Sequence, residues 1–287
     1  MGRYKKLLVA YDGSISSKNA LKQAIRLAET EKSWIKVVAV VPSYEGELDL
    51  TAVRNIKEVL KGSAEKLIKE ATEVAKAEGA SVMVNLEQGE AYEKIIDVAE
   101  EENCDLIVMG RRGMRALERA FMGSVTARVI CHSKKDVLVI PRDAHIGFKN
   151  ILLAVDGSEF GRLATERAVE FAKSYGSNLV AISVVDVTDE FLAQAPEIVD
   201  DLIKKAKTFL KDVQEKASTS NVNVETFVKE GETYTKILEL AGEKKADVIF
   251  MGSHGRTGIK KLLMGSVTEK VIGHTPCPVL VVKLLKK

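Results

Sequence analysis

The chain repeats itself, and that duplication limits its fold more than any other feature. Lys5 to Glu29 (KKLLVAYDGSISSKNALKQAIRLAE) aligns without gaps with Lys149 to Lys173 (KNILLAVDGSEFGRLATERAVEFAK), at an offset of 144 residues. Asp105 to Pro141 (DLIVMGRRGMRALERAFMGSVTARVICHSKKDVLVIP) aligns with Asp247 to Lys283 (DVIFMGSHGRTGIKKLLMGSVTEKVIGHTPCPVLVVK) at an offset of 142, with 16 of 37 positions identical. A period that long is a whole domain, not the roughly 20–50-residue unit of a solenoid. The expected division is residues 1–145 and 146–287, because the join from Arg142 to Phe148 is too short to act as a tether of any reach. A total of 287 residues suits two domains of ordinary size, and 46% hydrophobic against 29% charged residues gives each half a normal core.

Within each half, strand and helix patterns alternate. Lys6 to Tyr11, Ile35 to Val41, Leu106 to Met109 and Val137 to Ile140 are apolar runs of the kind buried on both faces of a sheet. Ser81 to Leu86 alternates like an edge strand. Helical spacing follows Ser14 (Ile15, Ala20, Ala24, Leu27, Ala28) and runs from about Asp49 to Glu78 (Val53, Ile56, Leu60, Leu67, Ile68, Ala71, Ala75). Further helices run from Tyr92 to Glu101 and from Ser124 onward, and the second half repeats the order, ending in Val279 to Val282. The alternation predicts α/β domains: two doubly wound, five-stranded parallel sheets of flavodoxin-like or Rossmann-like type, with the fourth strand beside the first. Ligands in such sheets bind beyond the C-terminal strand ends where the winding reverses, which puts Asp12 and Gly110 at one crevice and Asp156 and Gly252 at the other. The apolar final strands, Val137–Ile140 and Val279–Val282, would pair with each other, packing the two domains as a pseudo-dimer.

The chemistry-bearing pattern lies after the fourth strand. Gly110-Arg111-Arg112-Gly113 is followed nine residues later by Gly123-Ser124, and Gly252-Ser253-His254-Gly255 nine residues later by Gly265-Ser266. A helix opening at Ser124 or Ser266 presents the backbone N–H groups of Val125 and Thr126, or Val267 and Thr268, as an anion site. Gly123 and Gly265 would let phosphate oxygens approach the backbone, and Gly110, Gly113, Gly252 and Gly255 would clear room for a ribose and the phosphate path. The plainer alternative treats the glycines as loop punctuation and the serines as N-caps. Arg111, Arg112 and Arg115 read as a solvated rim, with extra phosphate or an acidic partner as the alternative.

Other signals exclude more than they assign. Forty-three basic residues against 41 acidic ones, a net charge of +2, argue against nucleic acid as a partner. No P-loop pattern, no metal-ligand spacing and no membrane-length apolar run occurs. Cys104, Cys131 and Cys277 lack C-x-x-C spacing and suit free thiols. With no signal-peptide pattern at the N-terminus, a soluble cytoplasmic protein is expected. His132 and His274 occupy equivalent helix C-termini, a structural position, whereas His254 has Arg112 as its counterpart and so has no role common to both halves. The basic tail, Lys283, Lys286 and Lys287, reads as a solvated terminus.

The strand-ending Asp-Gly-Ser, followed far downstream by G-x-x-G, nine residues and G-S, resembles the nucleotide-binding signature of the universal stress protein family, in a tandem two-domain form. The second half carries it more fully, as Met251 to Gly258, Gly265 to Thr268 and Pro276 to Val279; in the first half Arg111, Arg112, Met114 and Ala116 replace Ser253, His254, Arg256 and Gly258. The resemblance implies the adenine nucleotide alpha hydrolase-like fold and ATP, ADP or AMP as ligand. It implies that Asp12 and Asp156 sit in the pocket and that Val40 and Val184 lie against the base. It further implies that Ala10, Ala154, Met109 and Met251 line the adenosine part. A carboxylate about 4 Å from a phosphate charge is repelled by roughly 4 kcal/mol at an effective dielectric near 20. Asp12 and Asp156 would therefore meet ribose or base, share Mg2+ with the phosphates, or simply form an Asx turn. The function implied is a nucleotide-binding stress-response or regulatory protein without fast catalysis, with possible further homo-oligomerisation. The alternatives are a slow ATP hydrolase or an interaction module with vestigial pockets.

Overall fold

A computed structural model of the chain describes residues 3–43, 56–113, 122–255 and 264–283. The expected helix start at 49–55, Arg115, the loop positions 114, 116 and 256–258, and Lys286 and Lys287 lie outside them. Two compact units form: Met1–Lys135 with Ile140–Asp143, and Asp136–Val139 with Ala144–Lys287. No described helix is long and apolar enough to cross a membrane.

The first unit runs β1 (Lys6–Ala10), α1 (Ile15–Glu31), β2 (Trp34–Val41), α2 (Ile56–Ala77), β3 (Met83–Gln88), α3 (Ala91–Glu101), β4 (Leu106–Gly110) and α4 (Ser124–His132). Its strands are parallel in the order β3-β2-β1-β4, with Val9 opposite both Val37 and Val108. This is the Rossmann-like of the two doubly wound orders. The central strands are apolar without alternation because helices cover both faces; Leu7, Leu8, Ile107 and Val108 are fully buried. β3, at the edge, is half exposed, as its alternation predicts. α1 starts at an N-cap, Ser14, whose hydroxyl accepts from Ser17 N, and buries Ala20, Ala24, Leu27 and Ala28. Ile15 corrects the expected stripe: it is 55% exposed, because the first turn of α1 lays Ser16 and Ser17, both buried, against the end of β4 and turns Ile15 outward.

β5 (Asp136–Ile140) follows α4, and the division between the units falls within it. The second unit continues β6 (Asn150–Ala154), α5 (Glu159–Tyr175), β7 (Asn178–Val185), α6 (Asp189–Gln194), α7 (Pro196–Thr219), β8 (Val224–Glu230), α8 (Thr233–Glu243), β9 (Val248–Gly252), α9 (Ser266–His274) and β10 (Val279–Val282). Its strand order is β8-β7-β6-β9-β10, all parallel, with the 136–139 segment antiparallel to β10 and Leu138 opposite Leu280. β10 is therefore covered along its outer edge. Asp136 of that segment is buried and doubly hydrogen-bonded within the second unit. Its Oδ2 meets Arg167 Nε at 3.0 Å and its Oδ1 accepts from Lys283 N at 2.9 Å. Lys283 is accordingly buried, not part of a solvated tail.

Candidate functional site

In both units the first and fourth strands lie side by side, so their C-terminal ends open together where the winding reverses. The chain leaves β1 and β6 through the same turn. Ser14 N donates to Asp12 Oδ1 at 3.0 Å, and Ser158 N to Asp156 Oδ1 at the same distance. Both aspartates thus form the Asx turn that leads into a serine-capped helix. Gly157 is required there: its φ is +79°, and a Cβ would lie 2.3 Å from the Phe209 ring.

The helix that opens after the glycine loop is built differently. α1 and α5 are capped by Ser14 and Ser158, but α4 and α9 begin at Gly123 and Gly265, with no side-chain cap. The first intrahelical bonds are Ala127 N to Gly123 O and Glu269 N to Gly265 O, both 3.0 Å. The three preceding N–H groups in each helix have no intrahelical acceptor. Ser124 and Ser266 are exposed first-turn residues and not N-caps. Thr126 Oγ1 donates to Gly110 O and Thr268 Oγ1 to Gly252 O, each at 3.0 Å, holding these amides at the strand end.

In the second unit all nine sequence-predicted residues line one cavity of about 320 Å³. Ala154 and Asp156 come from the end of β6, Val184 from β7, and Met251 and Gly252 from β9. Gly255, Gly265, Ser266 and Val267 supply the loop and the α9 start. The wall also holds residues that the sequence reading did not single out: Asp186, Lys205, Phe209, Thr233 and Ile237. Thr233 Oγ1 donates to Asp186 Oδ2 at 3.1 Å. Only the two charged ones offered a signal, and each looks like any solvated position.

The first unit places its set on the equivalent elements. Ala10 ends β1, Val40 is in β2, and Met109 and Gly110 end β4. Gly113 faces Asp12, while Gly123, Ser124 and Val125 open α4.

The glycines divide into three kinds. A Cβ at Gly110 would stand 2.7 Å from Ser16 C, and one at Gly252 2.6 Å from Phe160 Cβ. These two therefore permit close packing of strand on helix; the space they clear faces α1 and α5, not a ribose. Gly113 and Gly255 make room for the aspartates, with Cβ positions 2.6 Å and 2.8 Å from Asp12 Oδ2 and Asp156 Oδ2. Gly123 and Gly265 have ordinary φ values of −71° and −62° and meet nothing nearer than 3.5 Å and 3.6 Å. Nothing among the described residues requires glycine at these last two positions.

Between the glycines the units diverge. Ser253 and His254 are buried, the imidazole packs on Phe160 at 5.1 Å, and its Nδ1 lies 3.0 Å from Ser253 Oγ. Arg111 and Arg112 are half-buried, which corrects the expectation of a solvated rim. His132 and His274 end α4 and α9, and His274 Nδ1 donates to Lys270 O at 2.7 Å, the helix-end contact expected. Among the described residues no three His, Cys, Asp or Glu are grouped to hold a metal.

Two Rossmann-like repeats, each with an uncapped helix start beside a strand-end aspartate, define a class: a tandem α/β protein with one candidate small-ligand site per repeat. The chain belongs to the universal stress protein family, whose pattern it matches twice, over residues 3–141 and 147–283. It is 39% identical over 145 residues to a universal stress protein of Methanocaldococcus jannaschii, covering 49% of this chain and 85% of that one. A universal stress protein of Mycolicibacterium smegmatis aligns at 27% identity over 290 residues, 96% of each chain. The crystal structure of a universal stress protein from Archaeoglobus fulgidus superposes with a TM-score of 0.74 at 25% identity, covering 97% of this chain and 96% of that one.

Proposed function

We propose that each repeat binds an adenine nucleotide, with its phosphates on the first-turn amides of α4 or α9, and that the protein acts through this binding in a stress-response or regulatory role. The observation that carries the reading is the start of α4 and of α9: each opens at a glycine with no side-chain cap, and in the second unit that start lines the cavity. An anion satisfies such amides as a cap would, and the helix dipole favours it. The family resemblance supplies the adenine. Val184 and Met251, on the cavity wall, are apolar surfaces suited to a base.

Asp156 accepts from Ser158 N through Oδ1 while Oδ2 lies against Gly255, so the carboxylate is held in place at the cavity wall. In that position it suits a ribose hydroxyl better than a phosphate, which it would repel. One carboxylate is too little for a dedicated Mg2+ cage; a bound cation would be carried mainly by phosphate oxygens and water. Native mass spectrometry of the purified protein, followed by titration with ATP, ADP and AMP, tests the reading. Binding that falls at least about tenfold in Gly265→Val at one site and in Gly123→Val at the other is the expected result. A protein that neither carries nor takes up any adenine nucleotide would falsify it.

A further inference from the structure

The two repeats present different charge at the same place. A Cβ on Gly123 would lie 3.5 Å from Arg111 O and 3.6 Å from Arg112 Cα; a Cβ on Gly265 would lie 3.6 Å from both Ser253 O and His254 Cα. The pair 111–112 and the pair 253–254 therefore abut the start of α4 and of α9 in the same way. Gly123 N donates to Arg111 O at 2.9 Å and Gly265 N to Ser253 O at 3.1 Å, so the backbone contact is shared as well. The side chains are two guanidiniums in one repeat, and a hydroxyl and an imidazole turned into the core in the other.

The arginines are not placed as a folding element alone would place them. Arg112 Nε is buried and has no hydrogen-bond partner among the described residues. Burial and then the neighbouring Arg112 lower the pKa of Arg111, so the Arg111 guanidinium is partly desolvated beside a second cation. The buried, unsatisfied Arg112 donor opposes folding, and an anion beside it relieves that cost. The second cavity has one cation on its wall, Lys205, and two carboxylates, Asp156 and Asp186.

We propose that Arg111 and Arg112 make the first repeat's site selective for a triphosphate tail, while the second repeat's site discriminates little between mono- and triphosphate. The inference rests on the nucleotide reading above and adds unequal preference to it. One chain then samples two different features of the nucleotide pool, total nucleotide at one site and its triphosphate share at the other.

The test is calorimetric titration of the full chain with ATP and with AMP, for the wild type and for Arg111→Ser/Arg112→His, which installs the second repeat's pair. The expected result is two classes of ATP site in the wild type. In the variant, ATP affinity at one class drops by roughly tenfold or more while AMP affinity there changes by less than about threefold. Arg112→Gln alone keeps the stem's packing and serves if the double variant does not fold; it should weaken ATP several-fold at one class and leave AMP unchanged. Unchanged ATP affinity in the variants, or equal losses for ATP and AMP, overturns the inference while leaving the nucleotide reading intact. A wild type that binds neither nucleotide overturns both.

Discussion

Asp12 and Gly113 are fitted to each other: a Cβ on the glycine would come within 2.6 Å of the carboxylate's Oδ2, and Asp156 and Gly255 repeat the relationship at 2.8 Å. The other carboxylate oxygen is tied to the backbone N–H two residues on, so the side chain has little freedom to move aside. Gly255 is exposed, so Gly255→Ala should destabilise the second unit by about 1 kcal/mol, the cost of displacing the tethered carboxylate rather than of overfilling a core. In an Asp156→Ala background the same substitution should cost much less, since the clashing atom is gone. A double-mutant cycle by urea denaturation measures the difference. Additive effects would show that the two residues are not coupled.

Gly252 and Gly265 should separate stability from binding. A Cβ at Gly252 would press on Phe160 Cβ at 2.6 Å and on its carbonyl carbon at 3.0 Å, so α5 itself must shift. Gly252→Ala is expected to lower stability by about 1–3 kcal/mol. Gly265 has ordinary contacts and a negative φ, so Gly265→Val should shift Tm less than Gly252→Ala does while its branched side chain covers the first-turn amides. Thermal melts beside nucleotide titrations check this. A Gly265→Val protein that melts far below Gly252→Ala would show that the fold, not a ligand, requires this glycine.

These two glycines also mark how far the residues alone could be read. Uninterrupted apolar runs such as Leu106–Met109 identify strands covered on both faces, and Asp-Gly-Ser identifies the capped helix starts, so the elements and their parallel sheet were legible. Of the residues gathered in the second cavity, the glycines and the α9 start were legible from loop spacing, whereas Ala154, Val184 and Met251 came only from the family resemblance. Which way a missing Cβ points was not legible: Gly252 faces Phe160, a residue 92 positions earlier in the chain. Nor were Lys205 and Thr233, whose helical positions look like any solvated face until α7 and α8 are docked. Arg112 looked like rim for the same reason.

Glu102 should dominate part of the acid limb of stability. Hydrogen bonds from Lys36 and Lys6 hold its carboxyl down to about 2, against an ordinary value of 4.5. A carboxyl whose folded value is depressed stabilises the fold above its unfolded value and loses that contribution as pH falls toward the folded one. The window is therefore pH 4.5 down to about 2. With Lys6 and Glu102 both about one-third exposed, the effect should shrink in high salt. Melting curves across that window should fall more steeply for wild type than for Glu102→Gln at low ionic strength. Parallel curves would rule out the pair as the cause.

Asp136 and Arg167 form the most buried ion pair described, with 5% and 7% of their side chains exposed and Nε to Oδ2 at 3.0 Å. Desolvating both charges offsets much of their attraction, so the pair contributes little net stability, yet removing one partner strands the other. Asp136→Ala should accordingly cost about 3–5 kcal/mol, made worse because Lys283 N loses its 2.9 Å acceptor. Arg167 has Glu170 at 3.9 Å as a partial substitute, but that carboxylate is half exposed and too distant for a hydrogen bond. An Asp136→Leu/Arg167→Met double variant removes both charges and refills the volume, and should recover most of the loss. Urea midpoints for the two variants decide the matter: a double variant no more stable than Asp136→Ala would mean that the carboxylate's hydrogen bond to Lys283, rather than the stranded guanidinium, sets the cost.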